Sequence, residues 1–427
     1  MNKGIFTIIF CLVVGYASAQ SVGDYRSRGS GNWSQANRWQ VFFNGAWRNL
    51  ESNSAGPYKN VLPTSASGLI TIITGTFISV SVSTNANQLI VASGATLRVN
   101  SNRVLTIVDD VTAPLTVDGV IIINNNGILD LQSQLTSTAC QINGSMQNNG
   151  VVSITNSSLL SFNSGSAYQH LHRTGGAVPL ATWNANSTCL IAGLNSRNAA
   201  APTNLGQSFW HFTWNTPSMG LNTTFSLNGE LQTVNGNLTF VSTGGTPREV
   251  RFDNGGPGYN LTVGGNFILQ GGLVTLTQSQ TTATSLAIAG NLDISGGTLN
   301  LGNANNSAIN VLLNSNFVKT GGLINRGTGA GAGTIRFDGG LQTYSNNSAI
   351  TSAVNFSVEN GSNLNLGTSF LSGTGTFTLN TGGTLQVGSL DVTGAIQVGT
   401  TGGNIRVGGV RTYQSNSEII YNGADVQ

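Results

Sequence analysis

A pair of adjacent glycines returns every 25 residues, at Gly271-Gly272, Gly296-Gly297 and Gly321-Gly322. The segments around the pairs align without gaps: Leu261, Leu286 and Val311 share one position, Asn266, Asn291 and Asn316 another, and Phe267, Leu292 and Phe317 the next. A unit of 25 residues is too short to enclose its own core, so each must bury its apolar side against its neighbours. That is the condition for a solenoid.

From Leu69 onward, short alternating apolar runs continue the pattern, among them Ile70-Thr71-Ile72, Leu89-Ile90-Val91, Leu97-Arg98-Val99, Leu115-Thr116-Val117 and Leu129-Asp130-Leu131. Their spacing of roughly eight residues gives about three strands per unit and predicts an all-β, right-handed parallel β-helix with coils of about 25 residues. If residues 70–427 all coil, about 14 turns at ~4.8 Å give a rod about 65–70 Å long. No stretch has a helical period.

The repeat carries its own stereochemistry. Alternating aliphatics place one face inward, stacked on the equivalent residue of the next turn. The glycine pairs predict corners with positive φ. Asn266, Asn291 and Asn316 predict a column of hydrogen-bonded side-chain amides.

Composition narrows the class. Charged residues are 7% of the chain and the net charge is +2, with 39% hydrophobic residues and 57 glycines. This chain folds, because disorder goes with high charge and low apolar content. Its three lysines, Lys3, Lys59 and Lys319, and its scattered arginines form no basic stripe, which excludes nucleic acid as a partner. No cofactor motif is present.

Residues 1–19 read as a secretory signal: Lys3, a mainly apolar run from Ile5 to Tyr16, and Ala17-Ser18-Ala19 as the cleavage site. No run in the mature chain is long enough to span a membrane. Residues 20–68 form a tryptophan-rich cap with Trp33, Trp39 and Trp47, and Asn44-Gly45 signals a hairpin. Coils occupy 69–167. A region rich in aromatics, with His170, His172, His211 and Cys189, follows over 168–215, and coils resume over 216–427. There the text breaks off mid-repeat: Ile419 to Gly423 repeats the form of Ile335 to Gly339. The chain therefore reads as the front part of a longer protein.

Candidate chemistry is sparse. Cys140 and Cys189, 49 residues apart, would lie about two coils, nearly 10 Å, from one another, beyond the ~7 Å limit for a disulfide. A bridge needs a longer coil or an insertion between them, and would be structural. His170 and His172, spaced i, i+2 on one strand face, could join His211 around a metal, although no Asp, Glu or Cys flanks them at ligand spacing. The commoner fate of such a pair is a polar strand face. Trp33, Trp39 and Trp47, or Trp183, Trp210 and Trp214, could stack on sugars, but tryptophan is more often buried, here as an end plug or coil filling. Asp109-Asp110 is an acidic pair of the kind β-helix polysaccharide lyases and hydrolases group on one face. The remaining acids are dispersed, so no catalytic set is assigned.

The stretch Gly23-Asp24-Tyr25-Arg26-Ser27, Gly31-Asn32-Trp33, Trp39 and Asn44-Gly45-Ala46-Trp47 resembles the start of large secreted repeat proteins of Bacteroidetes. So does Tyr168-Gln169-His170, Gly175-Gly176, Trp183, Cys189 and Phe212-Thr213-Trp214. That resemblance implies export through the type IX secretion machinery of the outer membrane, a cell-surface or extracellular location, and a sorting domain that these residues do not include. It also implies that the His-x-His pair belongs to a shared coil motif. The reading is a non-enzymatic stalk or adhesin-like scaffold whose partners are extracellular glycans or other surface proteins. The alternatives are a polysaccharide lyase or hydrolase, and a carbohydrate-binding module formed by the tryptophan-rich cap.

Overall fold

A computed structural model describes residues 20–108, 113–131, 139–196, 200–220, 224–245, 247–255, 258–278, 282–302, 307–327, 331–346, 348–391, 394–397 and 399–423. The signal at 1–19 and the pair Asp109-Asp110 lie outside them. The chain winds as a parallel β-solenoid with three faces. The second face is one ladder of 16 strands, from Gly31–Asn32 to Glu418–Tyr421, which at ~4.8 Å per step is on the order of 70 Å long. The first face comprises two nine-stranded sheets.

Register follows the 25-residue repeat residue by residue. Leu261 pairs with Leu286 and Leu286 with Val311, while Phe267, Leu292 and Phe317 form a column on the second face. The likeness between Ile335 and Ile419 is instead one between faces: Ile335 belongs to the first and Ile419 to the second.

The paired glycines serve two needs. Only the second of each pair has positive φ: Gly272 at 85°, Gly297 at 70° and Gly322 at 64°. The first is held to glycine by crowding, since a Cβ on Gly296 would lie 2.2 Å from the carbonyl oxygen of Gln270, one turn earlier. Asn266, Asn291 and Asn316 do form a column, but the amides do not bond to one another. Each Oδ1 accepts the backbone N–H of the next turn: Asn237 from Asn266 at 2.9 Å, Asn266 from Asn291 at 2.8 Å, Asn291 from Asn316 at 3.1 Å and Asn316 from Thr343 at 2.8 Å.

At the N-terminal end, Trp39–Phe43 and Ala46–Asn49 pair as an antiparallel hairpin around Asn44-Gly45, both with positive φ. Tyr25–Ser27 joins this hairpin to the first parallel strand, Ile70–Ile72. The hairpin covers a sheet edge that would otherwise offer unpaired backbone groups.

Inside, side chains stack in columns. One column on the second face runs Val80, Val99, Ile123, Asn148, His170, Ile191, Trp214, Phe240, Leu269, Ile294, Lys319 and Asn346. Two polar interruptions, Asn148 with His170 and Lys319 with Asn346, stand in this otherwise apolar file.

Candidate functional site

The first interruption coincides with a break in the architecture. The third face has a four-stranded sheet ending at Val151–Ser153, and a five-stranded sheet takes over at Thr224–Ser226. Over the two intervening turns, residues 171–181, 192–196 and 200–207 carry no third-face strand, and a parallel bridge joins Ala177 to Thr203. Aromatics fill the coil here. Trp183 stacks on Phe162 with ring centroids 4.4 Å apart, and Phe209 lies 5.0 Å from Trp183.

A buried hydrogen-bond chain anchors the first of these segments. The Nε2 of His170 lies 2.7 Å from the Gly175 carbonyl, which can only accept, so Nε2 carries the proton and Nδ1 accepts. The Tyr168 hydroxyl donates to that Nδ1 at 3.1 Å and accepts from Asn148 Nδ2 at 3.1 Å. The Asn148 Oδ1 takes the Gly150 N–H at 3.0 Å. Asn148, Tyr168 and His170 are all fully buried. Burial lowers the His170 pKa to about 4, with His172 adding to the effect and the Gly175 bond opposing it.

The chain delivers its neighbours to the surface. The His172 ring stacks on His170 at 4.5 Å, and a Cβ on Gly176 would strike it at 2.6 Å. Beside it opens a cleft of about 600 Å³ lined by Asn125, Asn149, His172, Arg173, Thr174 and Ser196. The Arg173 Nε donates to Asn195 Oδ1 at 3.0 Å, and among the described residues Arg173 has no carboxylate partner. The His172 Nε2 is buried, and a backbone hydrogen bond at Gly150 opposes the lowering of the ring's pKa by burial.

Two further clefts are simpler. One of about 230 Å³ includes Asp253 and Tyr259; another of about 450 Å³, at the last turn, includes Arg411 and Tyr413. Of Asp, Glu, Arg and His, each holds a single residue, and the larger cleft holds two.

The residues singled out in the sequence fall as follows. His170 and His172 meet, but His211 stands two strands further along, where its Nδ1 accepts the Asn237 N–H at 2.9 Å. The three do not converge, and among the described residues no group of three or more His, Cys, Asp or Glu could hold a metal. Cys140 and Cys189 form no disulfide: Cys140 is on the first face, and Cys189 is on the second, two strands beyond the turn of Cys140. Trp33 and Trp39 do not line a sugar platform. They are buried against each other at 4.9 Å, with their indole N–H groups on the carbonyls of Pro63 and Trp33. Trp47 lies apart under the Arg26 guanidinium, 4.4 Å away. Trp183 and Trp214 are buried as well.

Two features escaped the repeat. The Asn148–Tyr168–His170 chain is spread over two turns and has no motif spacing. A ladder of side-chain amides rises along one corner: Asn184 Nδ2 donates to Asn163 at 2.9 Å, Asn163 to Asn143 at 2.7 Å, and Asn143 to Asp118 at 2.7 Å. Its steps of 25, 20 and 21 residues hide it from any search at a fixed period.

Comparison with family models, with curated proteins and with solved structures finds no match to the chain. The fold and the cleft define a three-faced parallel β-solenoid with a capped N-terminal end and a polar break near its middle. Among the described residues, no helix is long and apolar enough to cross a membrane.

Proposed function

We propose that this chain is an exported, non-enzymatic scaffold, a stalk or adhesin-like element of the cell surface or extracellular space. The observation that carries this reading is the second face. Its ladder of 16 strands runs along the solenoid with a register shift at Leu341–Asn346, and from Thr96 to Gln386 its outward positions carry Arg98 and Asp293 as their charged residues. A long, stiff, nearly uncharged surface of hydroxyls and amides suits repeated weak contacts with polymers or neighbouring chains. Polysaccharide cleavage by a β-helix enzyme needs an acid and a base, or a base and a charge-stabilising partner, in one groove. Among the described residues, none of the three clefts gathers a pair of carboxylates, and only the one at His172 and Arg173 holds more than one Asp, Glu, Arg or His. The signal sequence and the likeness to type IX substrates support export.

The test is direct. Purified protein is incubated with a panel of neutral and acidic polysaccharides, and new reducing ends and unsaturated products are measured alongside adhesion of protein-coated beads to polymer-coated surfaces. Adhesion without product is expected. Product formation that survives repurification would overturn the scaffold reading.

A further inference from the structure

We infer that the cleft beside His172 and Arg173 binds the carboxylate of a uronic-acid residue in an extracellular polysaccharide. This rests on the proposed role of the solenoid as a surface that meets extracellular polymers, and adds to it a particular site and ligand class.

Four observations converge on the cleft. It opens where the third face gives way to loops, so no flat sheet closes it, and its volume of about 600 Å³ is in the range that holds a small ligand, about 300–1,000 Å³. Among the described residues its lining contains a cation and no anion: Arg173 is present, Asp and Glu are not. The guanidinium is fixed through Nε by Asn195 at 3.0 Å, which leaves the two Nη groups as a planar fork matched to a carboxylate. Asn125, Asn149, Thr174 and Ser196 supply amides and hydroxyls suited to sugar hydroxyls, and the His172 ring stands at the cleft wall.

The lining also says what the cleft does not take. Among the described residues it holds no Trp, Tyr or Phe, so a neutral pyranose finds no aromatic face there, and recognition falls to charge and hydrogen bonds. One wall of the cleft is anchored, because the loop that carries His172 and Arg173 is tied at Gly175 to the buried His170. Preorganisation of this kind lowers the ordering cost of binding.

The probe is an oligogalacturonate, with a malto-oligosaccharide of equal length as the neutral control and dextran sulfate as a generic polyanion. Binding to the full chain is followed by calorimetry and by histidine NMR signals. The expected result is binding of oligogalacturonate, weaker binding of dextran sulfate, none of the neutral oligomer, and perturbation of the His172 resonance. Arg173→Gln is expected to weaken oligogalacturonate binding by roughly tenfold or more, as loss of a charge-assisted pair requires, and Arg173→Lys to restore part of it. Arg28→Gln, at the distant cap where Arg28 pairs with Glu51 on the surface, leaves binding unchanged, and thermal melts establish that each variant is folded.

Equal affinity for the neutral oligomer, equal affinity for dextran sulfate, no effect of Arg173→Gln in a folded variant, or no binding at all would each overturn the assignment. These outcomes leave the scaffold reading standing. Release of product from a polysaccharide would sink that reading without touching the binding result.

Discussion

The hydroxyl of Tyr168 and the Nδ1 of His170 lie 3.1 Å apart inside the solenoid, two residues apart on one strand, and both side chains point into the core. A strand normally buries such i, i+2 pairs as aliphatics. Here the pair forms the middle of a chain from Gly150 to Gly175, so a core position determines the shape of a surface loop.

Removing the hydroxyl tests that coupling. Tyr168→Phe leaves Asn148 Nδ2 and His170 Nδ1 buried without their partner, and each lost partner costs about 1–3 kcal/mol. Chemical denaturation is expected to show a loss of about 2 kcal/mol or more. A change below about 0.5 kcal/mol, the usual size for an inert surface site, would mean that the chain contributes nothing.

Acid should act through His170. Its folded pKa of about 4 lies below the ordinary histidine value of 6.5 because burial disfavours the charged ring. The unfolded state therefore binds the proton first as pH falls. Stability is expected to decline between about pH 6.5 and pH 4 and to level off below that, with up to roughly 3 kcal/mol at stake. Denaturation midpoints measured across that window check the claim, and His170→Gln should flatten the curve.

The two roles within a glycine pair are separable. Gly296→Ala meets the Gln270 carbonyl, and Gly297→Ala meets both a carbonyl and a φ of 70°. Both should lower the melting temperature. Gly340→Ala, where a Cβ meets nothing within 4 Å and φ is not positive, should leave it unchanged.

Replacing Asn266, Asn291 and Asn316 together by Leu removes the acceptors for the N–H groups of Asn291, Asn316 and Thr343 (by then Leu at the first two). The triple variant is expected to melt well below the parent, because half-buried backbone donors lose their bonds. An unchanged melt would show that water replaces the amides at no cost.

Lys319 occupies the column position of Leu269 and Ile294 and, among the described residues, bonds Ser348 through its Nζ. Burial lowers its pKa, so the folded state is penalised while the amine is charged. Lys319→Met is expected to raise the unfolding midpoint at neutral pH. The gain should shrink as pH rises towards the ordinary lysine pKa, where both states lose the charge. A drop in the midpoint would show that the Ser348 contacts outweigh the burial penalty.

What the sequence determined by itself is the part that repeats. A 25-residue period fixed the solenoid, the register of its turns and the asparagine column, because stacking turns must present like residues to like. Asn44-Gly45 fixed the cap hairpin, because few dipeptides tolerate two positive φ angles in succession. What only the tertiary structure decided is everything that depends on which turns lie next to each other when their lengths differ. The ladder from Asp118 to Asn184 takes unequal steps, and Asn148 reaches Tyr168 one turn later. Cys140 and Cys189 are kept on separate faces, and Asn125, Asn149 and Arg173 come together from three turns. Spacing along a chain encodes a contact only where the turn length is constant, and in this protein the turns change length where the third face gives way and the cleft forms.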